Sequence, residues 1–200
     1  MANDTQNIQI ETIIEVDFEN RNRATVFFRG ILAAPVIFFI WSLGSFSESY
    51  IAPLLAAPVV LALVVRQVYP SYLLSFNHAM LEIQTRVGTY VLCLTDEYPS
   101  IERNPRVAVL FPEVDGGRKL NRWMPLVKWF LAIPLIVVGV VYIAIALVIS
   151  VIAWVITWST GKYPAWAAET VVGTMKYINR VYGYAIVLVT DEYPSFSLKG

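Results

Sequence analysis

Of the 200 residues, 57% are hydrophobic and only 15% are charged, against about 25% charged in an ordinary soluble domain. Fifteen Lys and Arg balance fifteen Asp and Glu. The mean hydropathy of +0.59 comes from two long uncharged stretches. This composition excludes a disordered chain, a nucleic-acid binder and an ordinary soluble enzyme.

Met1 to Asn20 is polar and acidic. It lacks the basic-then-apolar layout of a cleavable signal, so the first hydrophobic segment is expected to direct insertion itself. Ile8, Ile10, Thr12, Ile14, Val16 and Phe18 alternate with Gln9, Glu11, Glu15 and Asp17. A period of two predicts a half-buried strand. Between Arg29 and Arg66 lie 36 residues with one charge, Glu48. Ser42 to Ser49 reads as a turn in their middle, which predicts a hydrophobic hairpin over 26–66. After Tyr69-Pro70, polar residues at Ser71, Ser75, His78, Glu82, Thr85, Arg86 and Thr89 step by three and four. That stripe predicts an amphipathic helix over 70–94, lying in the membrane interface or packed against the hairpins.

The same order of parts then returns. Thr95-Asp96-Glu97-Tyr98-Pro99-Ser100 recurs as Thr190-Asp191-Glu192-Tyr193-Pro194-Ser195. Tyr69-Pro70 recurs as Tyr163-Pro164, Arg86-Val87 as Arg180-Val181, and Leu32-Ala33-Ala34-Pro35 as Leu131-Ala132-Ile133-Pro134. Two tandem repeats follow, 1–100 and 101–200. In the second, Val107, Val109 and Phe111 predict a short strand, and a helix is expected over 164–189. The two strands are expected to pair into a small sheet, with Phe196–Leu198 as a candidate third member. Between Lys128 and Lys162 lie 33 residues without a charge. This is too long for one ordinary span and short for two, since a span takes roughly 20 residues.

The basic residues favour a second hairpin over 125–160, shallow, tilted or in a thinned bilayer. With two hairpins, all Lys and Arg fall on one side. The expected fold is thus an all-α integral membrane protein with a small cytoplasmic β element. Each repeat comprises a strand, a hydrophobic hairpin and an amphipathic helix. The expected location is the bacterial inner membrane, multi-pass, with both termini cytoplasmic. Arg29, Arg66, Lys128, Trp158, Lys162, Tyr163 and Trp166 are its expected interface anchors.

The combination of motifs resembles the domain-of-unknown-function 4389 family of bacterial membrane proteins. The resemblance rests on Arg122-Trp123-Met124-Pro125-Leu126-Val127-Lys128-Trp129-Phe130-Leu131-Ala132-Ile133-Pro134, Ile152-Ala153-Trp154, Thr160-Gly161-Lys162-Tyr163-Pro164 and the stretch from Thr190 to Leu198. The first half follows the pattern more loosely, with Phe28-Arg29-Gly30 in place of Lys128-Trp129-Phe130. The resemblance implies the duplicated membrane architecture and brings no activity with it.

No catalytic constellation is legible. His78 is the single histidine and Cys93 the single cysteine, which leaves no Ser–His–acid set and no cysteine-built metal site. Cys93 reads as a small buried hydrophobe. His78 and Glu82 share a helix face, where a surface hydrogen bond is the simpler reading. Glu82 aligns with Lys176, either as an ion pair between the repeats or as two solvated residues. The acidic pairs Asp96-Glu97 and Asp191-Glu192 either hold a cation or act as acid and base, or end a helix and pair with arginines. No enzyme activity, cofactor or metal is expected. The expected partners are membrane lipid and further protein, as a homo-oligomer or a subunit of a larger membrane complex, with no nucleic acid. The expected role is an accessory or scaffold subunit; the alternatives are a lipid-organising hairpin protein and an oligomeric channel.

Overall fold

A computed structural model of the chain describes residues 8–44, 51–100 and 106–199. The elements in order are β1 (Glu11–Ile14), α1 (Arg23–Phe27), α2 (Arg29–Gly44), α3 (Ile51–Arg66), α4 (Ser71–Val91), β2 (Val107–Leu110), α5 (Met124–Thr160) and α6 (Ala165–Tyr182). A short 3-10 turn at Asp115–Gly117 precedes α5, and a π-turn at Gly183–Val187 extends α6.

The first hydrophobic stretch divides into α2 and α3. Most of the turn expected at Ser42–Ser49, and Glu48 with it, lies outside the described residues, as do residues 1–7 of the acidic N-terminal segment. The second stretch departs from expectation: it is not a hairpin but one unbroken helix of 37 residues. At 1.5 Å per residue α5 is about 55 Å long. No polar turn interrupts it, and its one interior glycine, Gly139, is helical. Gly161 ends it in the left-handed region (φ 74°), its N–H bonded to the Thr157 carbonyl at 2.8 Å. Pro70 and Pro164 cap α4 and α6, where a missing N–H costs nothing.

The two strands pair antiparallel, Glu11 opposite Leu110 and Ile14 opposite Val107. Phe196–Leu198 is not part of this two-stranded ribbon. Inward residues Ile10, Thr12, Val107 and Val109 are buried. The strands cross over to the opposite half of the chain: β1 packs on α6, and β2 packs on α4. The loops do the same. Tyr163 N–H bonds to the Phe18 carbonyl at 2.9 Å, and Tyr69 N–H to the Gly116 carbonyl at 2.7 Å. One core therefore draws on both halves, with Ile10, Leu63 and Leu73 beside Val109 and Leu188.

Residues on α6 advance by about 100° each, and this sorts its neighbours. Tyr177 and Val181 face α5 with Leu135, while Asn179 and Gly183 face β1 on the opposite side. Helix α4 is arranged alike. Ile83 and Val87 meet Val36 of α2, and His78 bonds through Nε2 to the Val109 carbonyl of β2 at 2.6 Å. The order of layers is apolar helices, then α4 and α6, then the ribbon. Asn179 ties the inner layers together, donating to Thr12 Oγ1 at 3.0 Å and Thr85 Oγ1 at 3.1 Å.

Candidate membrane-facing site

Helix α5 buries a single stripe: Lys128, Ala132, Leu135, Gly139, Ala146, Ser150, Ala153 and Thr157. Small residues recur every seventh position at Ala132, Gly139, Ala146 and Ala153, which lets a neighbouring backbone approach closely. A Cβ on Gly139 would meet the Tyr177 ring at 3.5 Å. Aromatic tips fasten the contact. Tyr177 Oη donates to the Leu135 carbonyl and Trp129 Nε1 to the Ala185 carbonyl, each at 2.9 Å. The remaining circumference is exposed and apolar, through Phe130, Val137, Val141, Val148 and Val155. Ile31, Phe38, Leu61 and Val65 continue the exposed apolar surface on α2 and α3. Among the described residues one helix, α5, is long and apolar enough to cross a membrane.

The basic and aromatic residues expected at the membrane interface divide into two groups. Arg66, Trp158, Lys162 and Trp166 are exposed. Arg29, Lys128 and Tyr163 are instead buried inside the protein. Arg29 opens α2 and reaches the end of α4, donating to the carbonyls of Tyr90 at 3.0 Å and Thr95 at 2.8 Å. It pairs with Asp96 and lies over the Tyr90 ring at 4.6 Å. Lys128, near the start of α5, reaches the end of α6 in the same way. Its Nζ donates to the Thr190 carbonyl at 2.6 Å, pairs with Asp191 at 2.6 Å and lies 5.3 Å from the Tyr184 ring centre. A cation suits a helix C-terminus, where unbonded carbonyls gather partial negative charge.

Matching contacts account for the Thr, Asp and Tyr positions of the recurring acidic motif. Thr95 Oγ1 accepts from Glu97 N–H and Thr190 Oγ1 from Glu192 N–H, both at 3.2 Å. Asp96 accepts from Asn22 N–H and Asp191 from Asn121 N–H. Tyr98 and Tyr193 stand edge-on to Tyr90 and Tyr184. The aspartates are thus engaged with buried cations, and Glu97 and Glu192 lie at the surface.

The first cluster has an extra buried cation, Arg21. Its guanidinium donates to the Cys93 carbonyl at 2.7 Å and the Leu94 carbonyl at 3.2 Å, and pairs with Asp96 at 3.1 Å. Burial pulls the Arg21 pKa down and Asp96 opposes this. Asp17 accepts from Thr95 Oγ1 at 3.0 Å and pairs with Arg106 at 3.1 Å. Three cations, Arg21, Arg29 and Arg106, meet three carboxylates, Asp17, Asp96 and Glu97. Cys93 is buried here as expected, and burial pushes its thiol pKa up.

Glu82 and Lys176 are not brought together as an ion pair. Glu82 turns to Arg86 on its own helix at 3.1 Å, and Lys176 borders a groove beside β1. His78 bonds to β2 rather than to Glu82. A signal for the buried pairs was present in the recurrences: the basic residue at 29 returns at 128, and the aspartate at 96 returns at 191. Nothing local marks Arg21, whose aligned position in the second half is Leu120, also buried.

Residues 122–197, which include α5, α6 and the Lys128–Asp191 pair, match the family model described as domain of unknown function (DUF4389). No curated protein and no solved structure matches the chain.

Proposed function

We propose that this is a non-enzymatic, membrane-embedded protein whose apolar helices lie in the plane of one leaflet and organise the lipid around them. The observation that carries the reading is the direction in which polarity changes. It changes across the helix layers, from α5 through α6 to β1, and not along the helix axes. A bilayer core is about 30 Å thick, much shorter than α5. Were α5 to cross it, α6 and β1 would be drawn in alongside, with Glu169, Lys176 and the open edge of the ribbon. Hydrocarbon offers no partners for such groups. In-plane burial leaves them in water and gives lipid only the apolar side. It also keeps the basic residues at both ends of α5 on one side, which fits the cytoplasmic leaflet under the positive-inside bias. The outward face of α5 is apolar rather than lined with polar groups, which favours lipid organisation over an oligomeric channel.

The chain further reads as a tandem duplication of one helical unit. The matching contacts of Arg29–Asp96 and Lys128–Asp191, and the exchanged strands, support this.

Cysteines at Lys119 and Lys162, in a Cys93→Ser background, test the orientation. Both are expected to react with a membrane-impermeant maleimide from the same side. Labelling from opposite sides would mean that α5 crosses the bilayer, and the in-plane reading would fall.

A further inference from the structure

Between β1 and α6 lies a groove of about 330 Å³ bordered by Gln9, Glu11, Thr12, Lys176 and Arg180. It opens on the ribbon side of α6, away from α5. Arg180 is only 6% exposed, and among the described residues its guanidinium makes one hydrogen bond, from Nη2 to the Ser197 carbonyl. Its buried Nε has no partner, as is also true of the Arg86 Nε, so the difference between the two lies in the counter-charge. The equivalent Arg86 has a carboxylate one turn earlier, Glu82 at 3.1 Å. In α6 that turn carries Lys176, so two cations replace an ion pair. Neither Lys176 nor Arg180 forms an ion pair among the described residues, and Glu11 is the single carboxylate bordering the groove.

A buried guanidinium without a counter-charge is costly, and the cost falls when an anion supplies one. We propose that this groove is a binding site for a phosphate-class oxyanion, gripped by the Arg180 guanidinium and the Lys176 ammonium. Arg offers a planar fork matched to phosphate oxygens, and Lys adds a mobile point charge. The anion would complete in the second half the neutralisation that Glu82 performs in the first. The groove opens away from the lipid-facing side of α5, so the expected source is a free phosphate or phosphomonoester, and the headgroup of an acidic lipid is the competing source that the test separates.

The test uses the full chain in phosphatidylcholine nanodiscs, titrated calorimetrically with inorganic phosphate. Saturable one-to-one binding is expected. Lys176→Glu rebuilds on α6 the Glu82–Arg86 arrangement, so it is expected to fold with an undiminished melting temperature. It should weaken phosphate binding by about tenfold or more, the scale of one charge-assisted hydrogen bond. Arg180→Gln should weaken it similarly. Nanodiscs containing phosphatidic acid separate the sources: competition against added phosphate assigns the site to a lipid headgroup, and unchanged phosphate binding assigns it to a soluble anion. Absence of saturable binding in both nanodisc types overturns the proposal, as does a Lys176→Glu protein that binds phosphate as well as the parent.

Discussion

Lys128 and Asp191 stand 2.6 Å apart, the lysine with no exposed surface and the aspartate side chain about a quarter exposed. The pair joins the start of α5 to the chain just beyond the end of α6, so two positions far apart in sequence are locked by one charge contact. Removing one partner of a buried pair is much more damaging than removing both. Asp191→Ala is therefore expected to destabilise the protein by about 3 kcal/mol or more, since Lys128 loses its counter-charge. The double variant Lys128→Met with Asp191→Leu should recover most of that loss. Denaturant titration in detergent micelles measures the cycle, and a near-neutral Asp191→Ala would contradict the assignment.

Two tyrosines at matching positions differ in their hydroxyls. Tyr69 Oη donates to the Val187 carbonyl at 2.6 Å, while Tyr163 Oη is buried without a partner. Tyr69→Phe is expected to cost about 1 kcal/mol, the net worth of one hydrogen bond. Tyr163→Phe should be neutral or stabilising. Burial raises both pKa values. A raised phenol pKa means that the folded state holds its proton where the unfolded state, at about pH 10, has lost it. Stability from these groups is therefore full below about pH 10 and falls as pH rises beyond it. Alkaline melts of the two variants should show a shallower decline than the parent.

Two glycines should respond in opposite directions to alanine. Gly117 has φ 99°, and a Cβ there would lie 2.7 Å from the Tyr69 backbone nitrogen. The obstruction is the Val68–Tyr69 peptide, backbone that cannot swing aside, so Gly117→Ala is expected to cost about 2 kcal/mol or more. Gly30 lies within α2, with nothing within 4 Å of the added carbon. Gly30→Ala should stabilise by up to about 1 kcal/mol through helix propensity. Thermal melts of both variants decide this.

The outward face of α5 offers a direct test of lipid contact. Val148 is 63% exposed, with Val141 and Val155 on the same outward surface. Val148→Lys places a charge where lipid is proposed, at a cost of about 2–3 kcal/mol in a hydrocarbon setting. The variant should partition more weakly into membranes on flotation. Ser159→Lys, at the exposed end of the helix, should float like the parent. Equal flotation of Val148→Lys and the parent would place that face in water.

The extent of each apolar stretch, the alternating strands and the amphipathic helices were legible because they depend on local periodicity. Pairing of β1 with β2 was legible too, since each strand carries one buried face that needs a cover. The second hydrophobic stretch was misread as a hairpin because charge asymmetry constrains which side a residue occupies, not the path of the chain between. An uninterrupted α5 lying flat, as proposed here, would meet the same constraint. The cluster at the end of α4 was hidden for a related reason. A basic residue beside an apolar run has the same appearance in sequence whether it faces headgroups or, like Arg29 and Lys128, the carbonyls of a helix end.

Sequence by itself determined which segments are apolar, where the helices begin at Tyr69-Pro70 and Tyr163-Pro164, and which acidic motif returns, because these follow from side-chain chemistry within a few residues. Only the tertiary structure decided that β1 serves α6 and β2 serves α4, that Glu82 pairs with Arg86 rather than Lys176, and that Arg29 and Lys128 are buried. Those outcomes depend on which surfaces meet across the chain, and burial changes a charge from a solvated anchor into a group that must find its partner inside.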